Sequence, residues 1–271
     1  MNTKLAGIIT FLMLVLPASV PAETLVLLQG YLADGDYWRD SGITSMLARD
    51  GWADAGTLRT TPVGIRSDRP TPAGNQRVYT LGLPSEAPLM VQLRYLEQYL
   101  DVIEKLYPNE SLILAGHSAG GVLGRLYMVE HPEIPIGALI TFASPHLGTD
   151  SAEIGAKAGS SPLGWVAPLI GGSTLNRSQG LYHDLVRERP GSLLFWLNRQ
   201  EHPSSQYISV VRGDDGLLNF GDLVVPAWSQ DMNQVAALRS RSSKIVTHGG
   251  HGLTKQDGEL LLKILRSNSQ T

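Results

Sequence analysis

The stretch LILAGHSAGGVLGRLYMV, residues 112–129, joins a strand-like run to a helix-like run through a short glycine-containing turn. Residues 112–115 predict a buried strand, and apolar side chains then recur at helical spacing from Val122 to Val129. Ser118 lies at the turn, between two glycines placed where a Cβ atom would clash. The pattern predicts a strained elbow that exposes the Ser118 hydroxyl at a helix N-terminus, where partial positive charge favours a developing oxyanion. We therefore expect Ser118 to be a nucleophile; an incidental serine in a glycine-rich turn is the alternative.

Composition sets limits on the function. The chain has 271 residues, of which 42% are hydrophobic and 17% charged, as expected for one domain with a substantial core. Its net charge of −3, without any lysine- or arginine-rich run, argues against a nucleic acid or an anionic membrane surface as partner. The absence of cysteine excludes a cysteine nucleophile, a thiolate metal site and a lipidated N-terminal cysteine.

Residues 1–22 have the pattern of a signal peptide. Lys4 precedes an apolar run over residues 5–16, and small residues precede Ala22. The run is short for a transmembrane helix, and an uncleaved anchor is disfavoured because a strand-like segment follows at once. We expect cleavage after Ala22, a periplasmic or secreted protein without a stable membrane anchor, and a single domain over residues 23–271.

Strand-like and helix-like segments alternate along residues 23–271. This order predicts an α/β fold with a mainly parallel sheet, helices on both faces, and chemistry at the carboxyl ends of the strands. Residues 53–76 are expected to be a polar connection, and residues 150–205 to be either a lid-like cap or a structured surface insertion. The expected strands are 24–28, 78–81, 111–115, 137–142, 207–211 and 244–246, and the expected helices are 38–50, 87–107, a helix from 119, 228–238 and 258–266.

A serine nucleophile needs a histidine base. The loop after the last expected strand offers two, and we favour His251 because it directly precedes the closing helix; His248 is the alternative. A metal site at this pair is disfavoured because the intervening glycines provide no rigid ligand face and no third ligand is evident. His146 follows a strand and is expected to shape the pocket, whereas His117 lies in the elbow itself and cannot reach round to Ser118.

The histidine in turn needs an orienting carboxylate. Asp222 is favoured because it precedes an apolar run ending in proline, and Asp214 or Asp215 is the alternative, although both have the context of a turn. The oxyanion hole needs two backbone N–H groups. We expect them to come from Ala119, directly after the nucleophile, and from Tyr31, in the loop after the first strand.

These motifs resemble those of the α/β-hydrolase superfamily, and in particular exported bacterial lipases and esterases. The elbow at 116–121 resembles G-H-S-x-G-G, residues 144–149 resemble S-P-H-x-G-T, and residues 222–226 match D-x-V-V-P. The resemblance implies Ser118, Asp222 and His251 in the family's order. Two departures are a glutamine at position 29, where the family usually has histidine, and a start directly at the oxyanion-loop strand, which implies a shortened sheet of about six strands.

The sequence thus predicts a lipase or carboxylesterase that acts on small-molecule or lipid esters through an acyl-enzyme, with no metal or organic cofactor. A thioesterase, amidase or acyltransferase with the same triad is the enzymatic alternative. A non-catalytic binding protein on a hydrolase scaffold is the alternative of another class.

Overall fold

A mainly parallel sheet forms the centre of the molecule, which a computed structural model describes over residues 22–108, 110–152, 172–213 and 222–268. The sheet has eight strands in the order β3-β2-β4-β1-β5-β6-β7-β8, and only the β2–β3 pair is antiparallel. In chain order the strands are β1 (Glu23–Leu28), β2 (Ala53–Thr61), β3 (Gly64–Ser67), β4 (Gln76–Leu81), β5 (Ser111–His117), β6 (Ile136–Phe142), β7 (Gln206–Arg212) and β8 (Ser242–Thr247).

Helices cover both faces of the sheet, so the predicted α/β class is confirmed. Alternate residues of β1 enter two separate apolar clusters: Val26 packs with the long helices α3 and α4, and Leu27 with α2 and α8 on the opposite face. This alternation is what a strand buried on both faces requires. The helices are α1 (Tyr37–Asp40), α2 (Ile43–Arg49), α3 (Leu89–Leu106), α4 (Ala119–Glu130), α5 (Gly172–Leu185), α6 (Leu193–Leu197), α7 (Ala227–Gln230) and α8 (Lys255–Asn268).

The prediction of about six strands is wrong, because β2 and β3 lie in the segment that the sequence marks as a polar connection. Polar side chains of β2 pair with residues of α1 and β4. The Arg39 guanidinium donates to both oxygens of Asp54, at 2.7 and 2.9 Å, and the Thr57 and Thr80 hydroxyls are 2.8 Å apart. Here hydrogen bonds between polar side chains help to hold the strand against its neighbours, whereas apolar packing does so in the central strands.

Two predicted helices are also interrupted. The helix expected over 38–50 is broken at Gly42, which has a φ of +80° between α1 and α2. The helix expected over 228–238 is replaced by α7 and two single 3₁₀ turns, Met232–Gln234 and Ala236–Leu238. Asp231 is extended there, and its side chain accepts the Asn233 N–H at 2.9 Å, which ends α7 and starts the next turn.

Helix α5 lies in the 150–205 insertion and packs firmly on the start of α3. Asp184 accepts the Leu89 N–H at 2.7 Å, and Arg177 pairs with Glu86 at 2.9 Å. A Cβ atom on Gly180 would come within 2.5 Å of the Pro88 ring, so the two backbones are in close contact. These contacts make α5 a fixed wall; residues 153–171 of the expected lid lie outside the described residues.

The N-terminal prediction falls almost entirely outside the described residues, which begin at Ala22. The signal peptide over 1–22 therefore stays a prediction. Within the described ranges, no helix combines the length and the apolar character needed to cross a bilayer.

A buried ion pair joins the end of β7 to α8. Arg212 donates to both carboxylate oxygens of Asp257, at 2.7 and 2.9 Å, and both side chains are almost fully buried. Arg212 also donates to the Thr247 hydroxyl, and Asp257 accepts the N–H of Thr254 at the start of α8. A buried pair of this kind specifies one arrangement of the elements that it joins, because separating the charges leaves them without solvent.

We expect Arg212→Met to lower the free energy of unfolding by about 3–5 kcal/mol, because Asp257 would remain buried without its partner. Denaturant titration measures this loss. The matched control is the double variant Arg212→Met/Asp257→Leu, which removes both charges and should recover much of the stability. Equal stability of the single variant and the wild type would contradict the expectation.

Candidate active site

The turn between β5 and α4 holds Ser118 in a strained conformation. Its φ is +52° and its ψ is −127°, values that a non-glycine residue adopts only when its surroundings enforce them. The Ser118 N–H donates to the Phe142 carbonyl at 2.9 Å, which ties the turn to β6. A Cβ atom on Gly120 would lie 2.6 Å from the Leu28 carbonyl oxygen, so glycine is required for α4 to start this close to β1.

The structure brings together the three residues that the sequence singles out. His251 Nε2 lies 2.9 Å from Ser118 Oγ, and His251 Nδ1 lies 2.7 Å from Asp222 Oδ2. With Nδ1–H donating to the carboxylate, Nε2 is left as the acceptor for the Ser118 hydroxyl. This is the arrangement that a serine–histidine–acid relay needs.

The alternatives for these positions are placed differently. His248 lies in the same loop as His251, but its side chain is exposed. Asp214 and Asp215 lie outside the described residues. His146, expected to shape the pocket, is fully buried, with Nε2 3.1 Å from the Thr141 hydroxyl, and its neighbour Pro145 lines the cavity instead.

Four hydrogen bonds fix the Asp222 carboxylate. Oδ1 accepts the backbone N–H groups of Val224 and Val225, at 2.8 and 2.9 Å, and Oδ2 accepts from His251 and from the Gln230 amide. The Asp222 side chain has no solvent exposure, so these donors replace water. The carboxylate is therefore held in one orientation towards the imidazole.

Gln230 is a site residue that the sequence analysis missed. Its Nε2 donates to Asp222 Oδ2 at 3.2 Å and to the Val225 carbonyl at 2.6 Å, and its Oε1 accepts the Arg212 N–H at 2.8 Å. This pattern allows only one orientation of the amide. It connects the acid loop to β7 and to the buried Arg212–Asp257 pair. No motif marks the position, because it lies in a segment expected to be an ordinary helix.

The loop after β1 crosses directly over Ser118. A Cβ atom on Gly30 would lie 2.7 Å from the Ser118 Cβ, so glycine is needed for this approach. Tyr31 lines the same cavity as Ser118, and Ala119 begins α4 directly after the elbow. Gln29 is buried and donates from Nε2 to the Leu83 carbonyl at 3.4 Å.

His117 holds the loop that carries His251. Its Nε2–H donates to the His251 backbone carbonyl at 2.7 Å, and its ring lies against that of Tyr37, with centroids 5.3 Å apart. The Tyr37 hydroxyl accepts the Leu253 N–H at 3.1 Å, so two packed rings fix the same loop at two points. Burial, followed by the neighbouring His251, lowers the pKa of His117 to about 3. This supporting role could not be predicted from sequence, because the partners of His117 come near it only in the folded chain.

Ser118 and His251 open onto a cavity of about 530 Å³. Apart from these residues, His117 and a few hydroxyls, its wall is apolar, as is common for sites that take small organic ligands. The apolar part comprises Leu32, Ala152, Leu181, Leu185, Val224 and Val225, together with Ala33 and Pro145. Within the described ranges, no group of three or more histidine, aspartate or glutamate side chains is arranged to hold a metal ion.

Comparison with known proteins agrees with this architecture. The mature form of lipase BlEst2 from Bacillus licheniformis superposes with a TM-score of 0.54 at 15% identity, over 93% of each chain. A gene product of Listeria innocua gives 0.56 at 14% identity, over 93% of this chain and 92% of its own. Est1E from Butyrivibrio proteoclasticus gives 0.54 at 14%, over 94% and 90%.

The chain has the α/β-hydrolase fold.

A family model described as the PGAP1-like alpha/beta domain matches residues 87–153 of this chain. That segment contains α3, β5, the Ser118 elbow, α4 and β6. A search of curated protein sequences gives no match. The superposed structures share only about one residue in seven with this chain, so they establish its fold, and the chemistry rests on the geometry around Ser118.

We expect His117 to make stability depend on pH. Its folded pKa of about 3 lies below the ordinary histidine value of about 6.5, so its contribution is complete above pH 6.5 and declines as the pH falls towards 3. Between pH 7 and pH 5 the loss should be about 2 kcal/mol. Urea titrations of the wild type and of His117→Gln, which keeps a donor but cannot titrate, measure the difference. An equal pH dependence of the two proteins would contradict it.

Proposed function

We propose that the protein is a serine hydrolase that cleaves carboxylic esters through an acyl-enzyme, as a lipase or carboxylesterase. One observation carries the proposal: Ser118, His251 and Asp222 are connected at 2.9 and 2.7 Å, at the opening of a largely apolar cavity. A strained serine whose hydroxyl contacts an imidazole nitrogen has the position of an activated nucleophile. Likeness in fold to a bacterial lipase supports the same reading.

In this mechanism Ser118 Oγ attacks the ester carbonyl carbon while His251 Nε2 takes the hydroxyl proton. Asp222 stabilises the resulting imidazolium through Nδ1–H. The backbone N–H groups of Ala119 and Tyr31 are the proposed donors to the tetrahedral oxyanion, and the elbow and the Gly30 loop support these positions. His251 gives its proton to the departing alcohol. A water molecule, deprotonated by His251, then attacks the acyl-enzyme and releases the acid, which regenerates Ser118.

The cavity supports an uncharged ester with an apolar group as substrate. Leu181 and Leu185 of α5 line it together with Val224 and Val225 of the acid loop, and such a surface favours acyl or alkyl groups over charged ones. Because α5 is bound to the start of α3, this part of the cavity wall is already in place without a movement of the helix. We further propose that residues 1–22 direct export to the periplasm or beyond and that residues 23–271 form one domain.

We expect the protein to hydrolyse p-nitrophenyl esters and Ser118→Ala to lose on the order of 10⁴–10⁶-fold in kcat. A series from acetate to palmitate gives the preferred chain length, and a fluorophosphonate labels Ser118 if its hydroxyl is activated. Ser204→Ala is the matched control, because Ser204 is exposed and lies away from the cavity.

The outcomes of this experiment separate the candidate activities. Labelling of Ser118 without turnover of any ester would redirect the proposal to thioesters or amides, which the same three residues can cleave. A folded protein with neither labelling nor turnover would mean that the scaffold only binds its ligand.

Gln230→Leu should lower kcat by about 10–100-fold with little change in KM, because a hydrogen bond to a buried carboxylate is lost and Asp222 can turn from His251. Steady-state kinetics on the best ester, together with thermal unfolding, measure this. Gln230→Glu keeps an acceptor for the Arg212 N–H but places a second carboxyl group beside Asp222, so it should not restore kcat. Gln98→Leu, on the exposed face of α3, is the control. A Gln230→Leu protein with unchanged kcat would contradict the assignment.

A further inference from the structure

Two tyrosine hydroxyls meet in the wall of the apolar cavity. Tyr31 lies in the loop that crosses Ser118, Tyr182 lies on α5, and both line the cavity. Their hydroxyl oxygens are 2.5 Å apart, and their rings meet edge to face, with centroids separated by 5.4 Å. We call these two residues the tyrosine pair.

One hydroxyl proton of the tyrosine pair is not used by the hydrogen bond between the two residues. Burial, then the hydrogen bond to Tyr31, raises the pKa of Tyr182, so its hydroxyl stays protonated at neutral pH. Two phenols supply two donor protons, and the bond between them satisfies one. Among the described residues no other hydrogen bond involves either hydroxyl. A donor left without an acceptor in an apolar wall is unfavourable unless a ligand or water accepts from it.

The tyrosine pair is held in place from both sides. Tyr31 follows Gly30, which is packed against Ser118. Tyr182 is 6% exposed, and two residues further along α5 Asp184 accepts the Leu89 N–H. The leucines at 181 and 185 line the cavity beside it. The free donor is thus a fixed polar point beside the apolar side chains that α5 contributes to the cavity.

We propose that the tyrosine pair is a subsite for an oxygen acceptor on the substrate, so that the preferred ester carries an ether, hydroxyl or carbonyl oxygen in the group that fills the cavity. This inference rests on the proposed ester hydrolase function. The phenol donates to that oxygen while the leucines of α5 contact the neighbouring methylene groups. A plain alkyl group of the same length would displace any water there and leave the donor unpaired.

The test compares esters in which one CH2 group is replaced by oxygen. On the acyl side, p-nitrophenyl 4-methoxybutyrate and 3-ethoxypropionate are compared with hexanoate; on the alcohol side, 2-methoxyethyl butyrate is compared with butyl butyrate. The quantity measured is the ratio of kcat/KM values, oxygen-containing over alkyl, in wild type and in the double variant Tyr31→Phe/Tyr182→Phe. Taking this ratio between proteins cancels the intrinsic reactivity of each ester.

We expect the double variant to lose about 3–10-fold in this ratio for at least one ester pair, as one hydrogen bond would contribute. Both single variants should lose less, because each leaves one phenol free to donate. Tyr79→Phe/Tyr107→Phe is the matched control, since it removes a second pair of hydroxyls, 3.1 Å apart, that does not line the cavity.

An unchanged ratio for every ester pair would overturn the subsite while the hydrolysis of the alkyl esters still supports the proposed function. Loss of turnover on all esters to the same extent in the double variant would also overturn it, because the pair would then serve only to support the loop over Ser118. If the wild type hydrolyses no ester, the proposed function fails and the subsite fails with it.

Discussion

The close approach of three backbone segments at the carboxyl end of the central strands is the constraint on which the site depends. The loop after β1, the elbow after β5 and the first turn of α4 meet where Gly30 and Gly120 leave no room for a Cβ atom. This contact forces Ser118 into a conformation with positive φ, which the hydrogen bond to Phe142 retains. The elbow can exist only because the parallel sheet brings β1, β5 and β6 side by side.

The remaining site residues reach Ser118 through a series of buried polar contacts instead of through close backbone packing. Asp257 accepts from the Arg212 guanidinium, and the Arg212 backbone N–H donates to Gln230. The Gln230 amide donates to Asp222, which accepts from His251. Asp257, Arg212, Gln230 and Asp222 are all buried, and each is hydrogen-bonded to the next, so a displacement of any one would leave a buried polar group unpaired. The position of the imidazole is thus coupled to the packing of the last helix on the sheet, as well as to the loop in which it lies.

The fold, and the meeting of Ser118, Asp222 and His251, could be predicted from sequence wherever a local pattern determines the structure. The elbow at Ser118 is such a case, because a tight strand-to-helix turn has a specific glycine requirement. Strand β2 is the opposite case. Its polar residues are hydrogen-bonded by side chains from other elements, as Asp54 is by Arg39, and no periodic pattern in the sequence indicates this. The positions of Gln230 and His117 could not be predicted from sequence for the same reason, since each contacts a partner that only the tertiary structure brings near.

The three residues proposed to react and part of the cavity wall come from different parts of the chain, the sheet loops and helix α5. Ser118, Asp222 and His251 follow β5, β7 and β8 at the carboxyl ends of these parallel strands, so their geometry follows from the sheet. Part of the cavity wall comes from α5 in the insertion, whose contacts with the body include those to Glu86, Pro88, Leu89 and the hydroxyl of Tyr31. Side chains on the inner face of α5 can therefore change without disturbing the relay, provided that these contacts remain. Tyr182 is the exception, because its partner Tyr31 belongs both to the cavity wall and to the loop over Ser118. A substitution of Tyr182 therefore changes the fit of the proposed substrate and, at the same time, the support of the proposed oxyanion loop.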